Sequence, residues 1–444
     1  MTSPKSGEQN IVPRTAPKRL HRELGTFGAV MMGLGAMVGT GVFVSLGIAA
    51  GIAGPAVVIA VVLAAGIALC NGMSSAQLAA AHPVSGGTYE YGYRYLNSWA
   101  GFTAGWVFLI AKSASAATAA LGFAGYLLHA FGRSSDDLVP LALAGVVALT
   151  VIVLAGIRRT NAVNIAIVSI TLASLAFFIL AGSSSAEARN FSPLFGEQAG
   201  GAGAFGALLE ATALMFVAYT GYARIATLGE EVRDPRRTIP KAILLTTGLT
   251  MLLYGAVAIV GIGAVGGADL LAATQAQAAP LAVVAQRFDI PFARDILVVG
   301  AVTAMLGVLL NLLLGLSRVL LAMARRADMP RVLASLNRSG TTPHWAVIAA
   351  AAVIAGLVLV GNIRTTWSFS AFNVLIYYAL TNLAALRLPA QQRLYPRWIA
   401  AVGGLACLAL AFWIEQTIWL AGLGIIAAGL LWHLFARRAA RLNW

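Results

Sequence analysis

The sequence consists largely of long apolar runs, each of a length that can cross a lipid bilayer. A bilayer core about 30 Å thick takes about 20 apolar residues as a helix, within a range of about 17–25. Twelve such spans are predicted, at residues 26–50, 54–80, 98–130, 137–156, 162–182, 204–228, 240–265, 295–322, 345–361, 368–388, 398–414 and 417–436. Because 59% of the residues are hydrophobic and only 10% are charged, a soluble fold could not bury this much apolar surface. The sequence therefore predicts a single all-α membrane protein.

The basic residues are distributed unevenly between the two sides of the predicted membrane. When the twelve spans are threaded with the N-terminus inside, 22 of the 30 lysines and arginines fall on one side and five on the other. This asymmetry follows the positive-inside rule, so both termini, including a tail over residues 1–25, are predicted to be cytoplasmic. The formal charge of +14 is then explained by the anionic inner leaflet of a plasma (bacterial inner) membrane. The lipid bilayer is the expected partner, and no nucleic-acid partner and no cleaved signal peptide are predicted.

Cysteine and histidine residues do not form a recognisable metal-binding pattern. Cys70 and Cys407 each fall within a predicted span, which argues against a disulfide framework. The five histidines are scattered, and we interpret them as interfacial residues: His21, His82, His129, His344 and His433. Neither a metal site nor a cofactor is predicted.

Glycines interrupt the first span in the stretch GLGAMVGTGVFVSLG at residues 33–47. Each interior glycine costs a helix about 1 kcal/mol relative to alanine. Close packing against neighbouring helices accounts for Gly33 and Gly35, but Gly39-Thr40-Gly41 places two glycines around a hydroxyl at mid-membrane. A dinucleotide fingerprint is excluded because no strand precedes the glycines. The first span is therefore predicted to be broken at Gly39–Gly41.

The sixth span contains a similar interruption at Thr220-Gly221, within FVAYTGYARIATLGEE at residues 216–231. The first and sixth spans each begin a group of five helices, over residues 26–182 and 204–388, with two further helices and a cytoplasmic tail over 395–444. Since five is odd, the two groups enter the bilayer from opposite sides, and paired interruptions in such halves point to a transporter binding site. Backbone exposed at this depth is tolerated only where it lines a cavity. A zwitterion would suit it, with its carboxylate on freed N–H groups and its ammonium on freed carbonyls.

Four motifs carry a resemblance to a known family. They are GAMVGTGVF at 35–43, HPVSGGTYEYGYRYL at 82–96, FVAYTGYARIATLGEEVRDPRRTIPKAI at 216–243 and SRVLLAMARRADMP at 317–330. In this order they resemble the amino acid permeases of the amino acid–polyamine–organocation superfamily, most closely bacterial relatives of the cationic amino acid transporters. The resemblance implies a leucine-transporter-type fold of twelve helices, with a five-plus-five inverted repeat and with helices 1 and 6 broken at the substrate. It also implies transport by alternating access.

The resemblance also implies roles for individual residues around the two breaks. Gly39, Thr40 and Gly41 would offer N–H and hydroxyl groups to a substrate carboxylate. The ammonium would be bound by the carbonyls of Met37, Val217, Ala218 and Thr220, next to Gly221. The aromatic residues Phe216, Tyr219 and Tyr222 would gate or wall the pocket, although ordinary packing between helices would explain each of them nearly as well.

Two polar segments outside the spans are interpreted structurally. The segment 82–96 is predicted to form a cytoplasmic turn that places Tyr89, Tyr91, Tyr93 and Tyr95 at the interface, and its Gly86-Gly87 pair lacks the lysine of a phosphate loop. The charged residues from Glu230 and Glu231 to Arg237 are interpreted as a solvated loop, with an inner gate as the alternative.

Lys112 is a charged residue inside the third span, where a lysine costs about 2.5–3.5 kcal/mol on insertion scales. Because burial disfavours the charged amine, Lys112 could exchange a proton during transport. It could instead act as a charge that selects substrates, or bind carbonyl groups for structure alone. Many sodium-independent relatives carry a lysine in the fifth span, where this sequence has Thr171. Three explanations remain open: Lys112 replaces that charge, Thr171 and Thr303 help to bind sodium, or the protein is an uncoupled exchanger.

The favoured hypothesis is a secondary transporter that takes up small neutral amino acids together with protons, with Lys112 as the coupling residue. The alternatives are a cationic amino acid (arginine or lysine) transporter, an exchanger and a transporter-like amino acid sensor. An enzyme is not predicted, because the spans carry no grouping of catalytic side chains. Arg224, Glu210 and Arg318 receive no transport role, and the oligomeric state is left open.

Overall fold

The chain folds into helices throughout the part that the structure, a computed structural model, describes. The described residues are 24–83, 86–156, 161–195, 203–226, 232–277, 279–337, 342–360 and 362–442. No β-strand occurs among them, and the one isolated bridge pairs Leu24 with Val232. Most of the predicted tail 1–25, as well as Glu230 and Glu231, lies outside the described residues. The all-α prediction is confirmed.

Sixteen α-helices occur in the described residues and are numbered here in chain order. Their bounds are Thr26–Met37 (α1), Leu46–Ala53 (α2), Val57–Ala81 (α3), Thr88–Tyr95 (α4), Ser98–Ala130 (α5), Leu138–Leu154 (α6), Asn161–Gly182 (α7), Gly203–Tyr219 (α8), Tyr222–Ala226 (α9), Pro235–Gln277 (α10), Pro280–Ala285 (α11), Ala293–Arg325 (α12), His344–Val360 (α13), Ile363–Leu386 (α14), Arg397–Ala411 (α15) and Gln416–Leu442 (α16).

Membrane-spanning segments account for most of these helices. Nine segments in the described part of the chain are long and apolar enough to cross a membrane, and α13 and α15 are shorter apolar helices. The first segment, Thr26–Ala81, has 56 residues, more than twice the length that one crossing needs. The helix bounds mostly lie within a few residues of the predicted spans, as α5 illustrates.

Helix α10 is longer than the predicted span 240–265 because it begins at Pro235 and continues to Gln277. It consists of two helical parts joined at Gly266, whose φ of 77° is in the left-handed region that glycine adopts readily. The end of the predicted span therefore lies next to this bend.

The predicted turn at 82–96 is wrong in its conformation, because Thr88–Tyr95 forms helix α4. Two of its four tyrosines, Tyr89 and Tyr91, are only 1% exposed, so they belong to the protein interior rather than to the membrane interface. Tyr89 and Tyr93 share one side of α4, and Tyr91 and Tyr95, also one turn apart, share another, so this short helix presents aromatic rings on more than one side.

His433 of α16 is only 1% exposed, so the expectation that this histidine is an interfacial residue is wrong.

Helix α5 lies at the centre of the bundle. It packs against α12 and α14, while α10 packs against α1 and α3. Every residue of α5 from Ala111 to Tyr126 is buried, and most are alanine, serine or glycine, which allow neighbouring backbones to approach closely. Hydroxyl pairs join α5 to α14, with 2.7 Å between Ser115 Oγ and Ser370 Oγ and 2.8 Å between Thr118 Oγ1 and Thr366 Oγ1.

Candidate functional site

Two interrupted helices form the centre of the candidate site. Helix α1 ends at Met37, Val38 is extended (φ −80°, ψ 102°), and the chain re-enters a helix through a π-helical turn at Gly41–Ser45. Helix α8 ends at Tyr219, and a turn at Thr220-Gly221 leads into the short helix α9. Both interruptions lie at the glycine and threonine pairs that the sequence singles out.

The two interruptions contact each other directly through their glycines. A Cβ atom built on Gly221 would lie 2.5 Å from the carbonyl carbon and oxygen of Ala36 and 2.6 Å from the amide nitrogen of Met37. A Cβ atom on Gly41 would overlap the side chain of Ala218. Only glycine permits this approach at either position, so the two broken segments pack directly against each other. Thr220 and Gly221 line the cavity described below, whereas Gly39, Thr40 and Gly41 are buried and do not.

The first interruption presents unsatisfied hydrogen-bond donors. No acceptor among the described residues bonds the amides of Gly39, Thr40 or Gly41. The hydroxyl of Thr40 is also without a partner in the described structure, although the residue is only 3% exposed. A buried donor left in this state costs about 1–3 kcal/mol. The arrangement is suited to an anionic group that would accept these hydrogen bonds.

The carbonyl groups at the interruptions are already engaged by side chains. Tyr254 of α10 donates its hydroxyl to the Met37 carbonyl at 2.7 Å and lies 3.5 Å from the Ala218 carbonyl. Tyr378 of α14 donates to the Thr220 carbonyl at 3.2 Å. The Val217 carbonyl accepts both the amide and the hydroxyl of Thr220, at 3.0 and 2.7 Å. A ligand ammonium would therefore have to share or displace these bonds.

Lys112 of α5 reaches the second interruption. Its Nζ donates to the Thr220 hydroxyl at 2.9 Å, and the residue is 9% exposed. None of the ion pairs in the described part of the chain involves Lys112. A buried amine with a neutral partner is costly in its charged form, because no opposite charge compensates for the lost hydration.

A cavity of about 190 Å³ begins at Lys112, Thr220 and Gly221. This volume is many times the roughly 10–15 Å³ that one water molecule needs, and below the roughly 300–1,000 Å³ of drug-sized pockets, so it suits a small solute. From the interruption the cavity extends to the segment Gly86–Thr88 and to Arg318. The remaining lining residues include Ala36, Ser75, Tyr91, Phe108, Arg224, Asn311, Tyr377 and Tyr378. No aspartate or glutamate lines the cavity within the described part of the chain.

The three aromatic residues that were predicted to gate or wall the pocket do not line this cavity. Phe216, Tyr219 and Tyr222 are fully buried. Phe216 and Tyr222 contact the ring of Tyr378, with centroids 5.6 and 5.4 Å apart, and Tyr219 packs against Tyr254 at 5.3 Å. Because Tyr378 lines the cavity, Phe216 and Tyr222 support its wall from behind.

The proposed sodium ligands bond to their own helices. Thr171 of α7 is 1% exposed and donates its hydroxyl to the Ile167 carbonyl at 2.8 Å. Thr303 of α12 donates to the Val299 carbonyl at 2.6 Å. A hydroxyl oxygen bonded in this way can still accept a hydrogen bond or contact a cation. Within the described residues, no cluster of three histidine, cysteine, aspartate or glutamate residues is suited to hold a metal ion.

The charged residues to which the sequence analysis gave no transport role lie in two different places. Arg224 and Arg318 line the cavity. Glu210 of α8 lies 3.8 Å from the guanidinium of Arg364 at the beginning of α14. The described charged residues of the predicted loop are exposed, with Arg237 Nε 3.8 Å from Asp234 Oδ2. The loop is shorter than predicted, because α10 already begins at Pro235.

The sequence analysis missed several lining or supporting residues, among them Tyr254, Tyr378 and Asn311. Each belongs to a helix far from the interruptions in sequence, so the local patterns around the glycines contain no sign of them. A polar residue in an otherwise apolar span, such as Asn311 in α12, is the only signal that could have identified them.

Comparisons with known proteins agree with the geometry of a membrane site for a small solute. The sequence profile of the amino acid permease family matches residues 28–444. An uncharacterized transporter of Mycobacterium tuberculosis is 40% identical to this chain over 94% of the chain and 92% of its own length. The branched-chain amino acid permease BcaP of Bacillus subtilis is 26% identical over 99% and 98%, respectively. The chloroplastic cationic amino acid transporter 7 of Arabidopsis thaliana is 25% identical over 86% and 68%.

Proposed function

The chain belongs to the amino acid permease family, as its motifs predict, and on this premise we propose that it carries small neutral amino acids across the membrane together with protons. The observation that carries the proposal is the cavity that ends at Lys112 and Thr220, beside the two interrupted helices. Such a site binds and releases a solute without covalent chemistry, so we propose a transporter and not an enzyme.

In the proposed complex the substrate carboxylate binds at the first interruption. The free amides of Gly39, Thr40 and Gly41, together with the Thr40 hydroxyl, supply donors at the start of a helical segment, where the helix dipole favours negative charge. The ammonium binds at the carbonyls of Met37, Val217, Ala218 and Thr220, next to Gly221. The hydroxyls of Tyr254 and Tyr378 hold three of these carbonyls when no substrate is bound.

Lys112 is proposed to couple transport to protons. It is buried at the end of the cavity and has a neutral hydrogen-bond partner, so gain or loss of its proton changes the charge of the site by one unit. Sodium coupling through Thr171 and Thr303 is the alternative. Both hydroxyls donate within their own helices and keep an oxygen lone pair that could contact a cation, so the uptake assay below has to decide between the two ions.

The proposed fold has twelve membrane helices, with a five-plus-five inverted repeat and two further helices. The 56-residue segment Thr26–Ala81 divides into two crossings at Gly54, and with α13 and α15 the described segments then account for twelve. Alternating access would expose the site first to one side and then to the other. The cavity reaches Gly86–Thr88, on the side with the excess of basic residues, so we infer an inward-facing conformation in a plasma membrane with both termini in the cytoplasm.

Several observations bear on the substrate. The similarity to the branched-chain permease favours neutral amino acids, whereas the similarity to the plant transporter favours cationic ones. Because a charged Lys112 would repel a second positive group and no described carboxylate lines the cavity, we place neutral substrates first. An exchanger and a membrane amino acid sensor are the remaining alternatives.

Uptake by purified protein in liposomes tests this function. Labelled alanine is added with and without an inward proton gradient, and unlabelled leucine and arginine compete in parallel assays. We expect uptake to rise with the gradient, and the dependence on the gradient to disappear in Lys112→Met. The control is Lys241→Met, which removes an exposed lysine of α10 and should behave like the native protein.

Other results would redirect the proposal. Stimulation by sodium would favour Thr171 and Thr303, and stimulation by internal amino acid would indicate exchange. Uptake of arginine without alanine would replace the proposed substrate class. Binding of amino acids without any uptake would favour the sensor and contradict transport.

A further inference from the structure

The part of the first interrupted helix that follows the break packs closely against α10. This part consists of the π-helical turn Gly41–Ser45 and α2, and it is called the distal half here. A Cβ atom built on Gly47 would overlap the Thr274 hydroxyl. One turn further on, a Cβ atom on Gly51 would lie 2.7 Å from the Cβ atom of Leu271. The two glycines therefore let the distal half fit against the second part of α10.

The hydroxyl of Tyr126 joins the distal half to α11. Tyr126 of α5 is fully buried and donates this hydroxyl to the Phe43 carbonyl at 2.7 Å. The same oxygen accepts the Leu281 amide, in the first turn of α11, at 3.3 Å. The rings of Tyr126 and Phe43 also meet edge to face, with centroids 5.9 Å apart. One hydroxyl thus bonds backbone groups of two segments that are far apart in sequence.

The Leu281 amide depends on this hydroxyl for an acceptor. Amides in the first turn of a helix have no acceptor within that helix, and Leu281 is fully buried. Phenylalanine in place of Tyr126 would keep the ring but leave this amide without its partner and the Phe43 carbonyl without its donated bond. A buried donor without an acceptor is unfavourable, so the hydroxyl stabilises the arrangement in which the distal half and α11 lie together.

Tyr126 lies on the opposite side of the interruptions from the described cavity. The cavity extends from Lys112 to Gly86–Thr88, at the beginning of α4. Helix α4 packs against Gly101 and Gly105, in the first turns of α5. Tyr126 is 14 residues beyond Lys112 in the other direction along α5, roughly 20 Å at 1.5 Å per residue. The joint made by Tyr126 therefore belongs to the side away from Gly86–Thr88, which is called the far side here.

A second cavity, of about 320 Å³, lies at the far side and ends at the distal half. Its lining includes Arg189, whose side chain is largely exposed, so this cavity is open to the surroundings of the protein. Gly51 and Leu271 also line it. Gly47 and Thr274, one turn closer to the first break, do not, and both are buried. The contact between the distal half and α10 therefore closes the far side before this cavity reaches the break.

We propose that Tyr126 is a positioning residue whose hydroxyl keeps the distal half closed on α10 and α11 while the described cavity is open. Opening of the far side then requires this hydrogen-bonded joint to break, and the distal half leaves α10 together with the first break. The bond thereby favours one of the two conformations over the other. The inference rests on the proposed function in that both openings are taken as parts of one transport path.

Labelling of one engineered cysteine on each side measures both openings without any substrate. Cys70 and Cys407 are first replaced by alanine in the full chain. Thr274→Cys reports on the far side, because Thr274 is 2% exposed and its side chain faces the distal half. Gly315→Cys reports on the described cavity, which Gly315 lines and where a Cβ atom meets nothing within 4 Å. Each protein is reacted in liposomes with N-ethylmaleimide, which crosses membranes and reaches both sides.

The two reporters should respond differently to loss of the hydroxyl. With Tyr126→Phe, we expect Thr274→Cys to react at least about threefold faster, because the closed arrangement loses its bond and leaves the Leu281 amide unpaired. Gly315→Cys should react at the same rate or more slowly, because population leaves the conformation in which the described cavity is open. The control is Tyr95→Phe, which removes a hydroxyl without a hydrogen-bond partner in the described structure and should change neither rate.

An unchanged rate at Thr274→Cys would overturn the proposal, as would equal acceleration of both reporters, which would indicate a general loosening of the fold. If Tyr126→Phe does not fold, Gly51→Ala separates the distal half from α10 instead, since its Cβ would lie 2.7 Å from that of Leu271. That variant should accelerate Thr274→Cys alone, and a native rate would contradict closure of the far side by this contact. Because no substrate is present, these rates do not depend on whether the protein transports alanine, so a failure of the joint is distinguishable from a failure of transport.

Discussion

Gly221 is the position at which the two interrupted helices approach most closely, and replacing it by alanine tests whether this contact builds the site. The added Cβ would lie 2.5 Å from the carbonyl group of Ala36 and 2.6 Å from the amide nitrogen of Met37. These atoms belong to the backbone, so no side-chain rotation can relieve the overlap. An ordinary contact begins at 3.4 Å, and the two segments must therefore separate by about 1 Å.

The magnitude follows from this displacement. Overpacking of a well-packed interior costs about 1–3 kcal/mol. The usual gain of about 1 kcal/mol for alanine over glycine applies inside helices, and Gly221 lies in the turn between α8 and α9. A shift of about 1 Å would also stretch the 2.9 Å bond between Lys112 and Thr220. We expect Gly221→Ala to lose about 1–3 kcal/mol of unfolding free energy and at least about tenfold in transport rate.

Chemical denaturation in detergent and alanine uptake in liposomes measure the two effects. The control is Gly255→Ala in α10, where a Cβ atom meets nothing within 4 Å. It should gain up to about 1 kcal/mol and transport normally. Native stability and uptake in Gly221→Ala would refute the close contact between the two interruptions.

Three further changes probe the site and its surroundings. Tyr254→Phe removes the hydroxyl that holds the carbonyls at the breaks, so denaturation should show a loss of about 1–3 kcal/mol, and full native stability would contradict the bond. Thr220→Val leaves the amine of Lys112 without its hydroxyl partner and should lose the proton dependence of uptake, whereas Thr220→Ser should keep it. Burial and the nearby Arg94 lower the pKa of His82, so the unfolded chain binds the proton more tightly and stability should fall as the pH drops from about 7 to about 5. His82→Asn should reduce this fall, and an unchanged pH profile would argue against it.

Much of the fold could be predicted because a bilayer imposes a length on each helix. The third predicted span, 98–130, coincides with α5, and the glycine and threonine pairs at Gly39–Gly41 and Thr220-Gly221 mark the interruptions. Backbone in a membrane must be satisfied locally, so a break in a helix leaves a signature in the residues that form it. Polar segments outside the bilayer lack this constraint, and 82–96 was accordingly predicted as a turn where α4 forms.

The contacts of the other side chains in the site could not be predicted from local sequence patterns, because each side chain comes from a different helix. The depth of Lys112 follows from its place in the third span, but its bond to Thr220 depends on where the fold places α5 relative to the turn that follows α8. The same holds for Tyr254, whose hydroxyl reaches the Met37 carbonyl from a residue 217 positions away in sequence. The consequence is an asymmetric site, in which the amides at the first break are free and the carbonyls are held by tyrosines. In the proposed function, a carboxylate could then bind without rearrangement, whereas an ammonium must displace or share a tyrosine hydroxyl. Binding of the ammonium would consequently be the step that moves α10 and α14 relative to the broken helices.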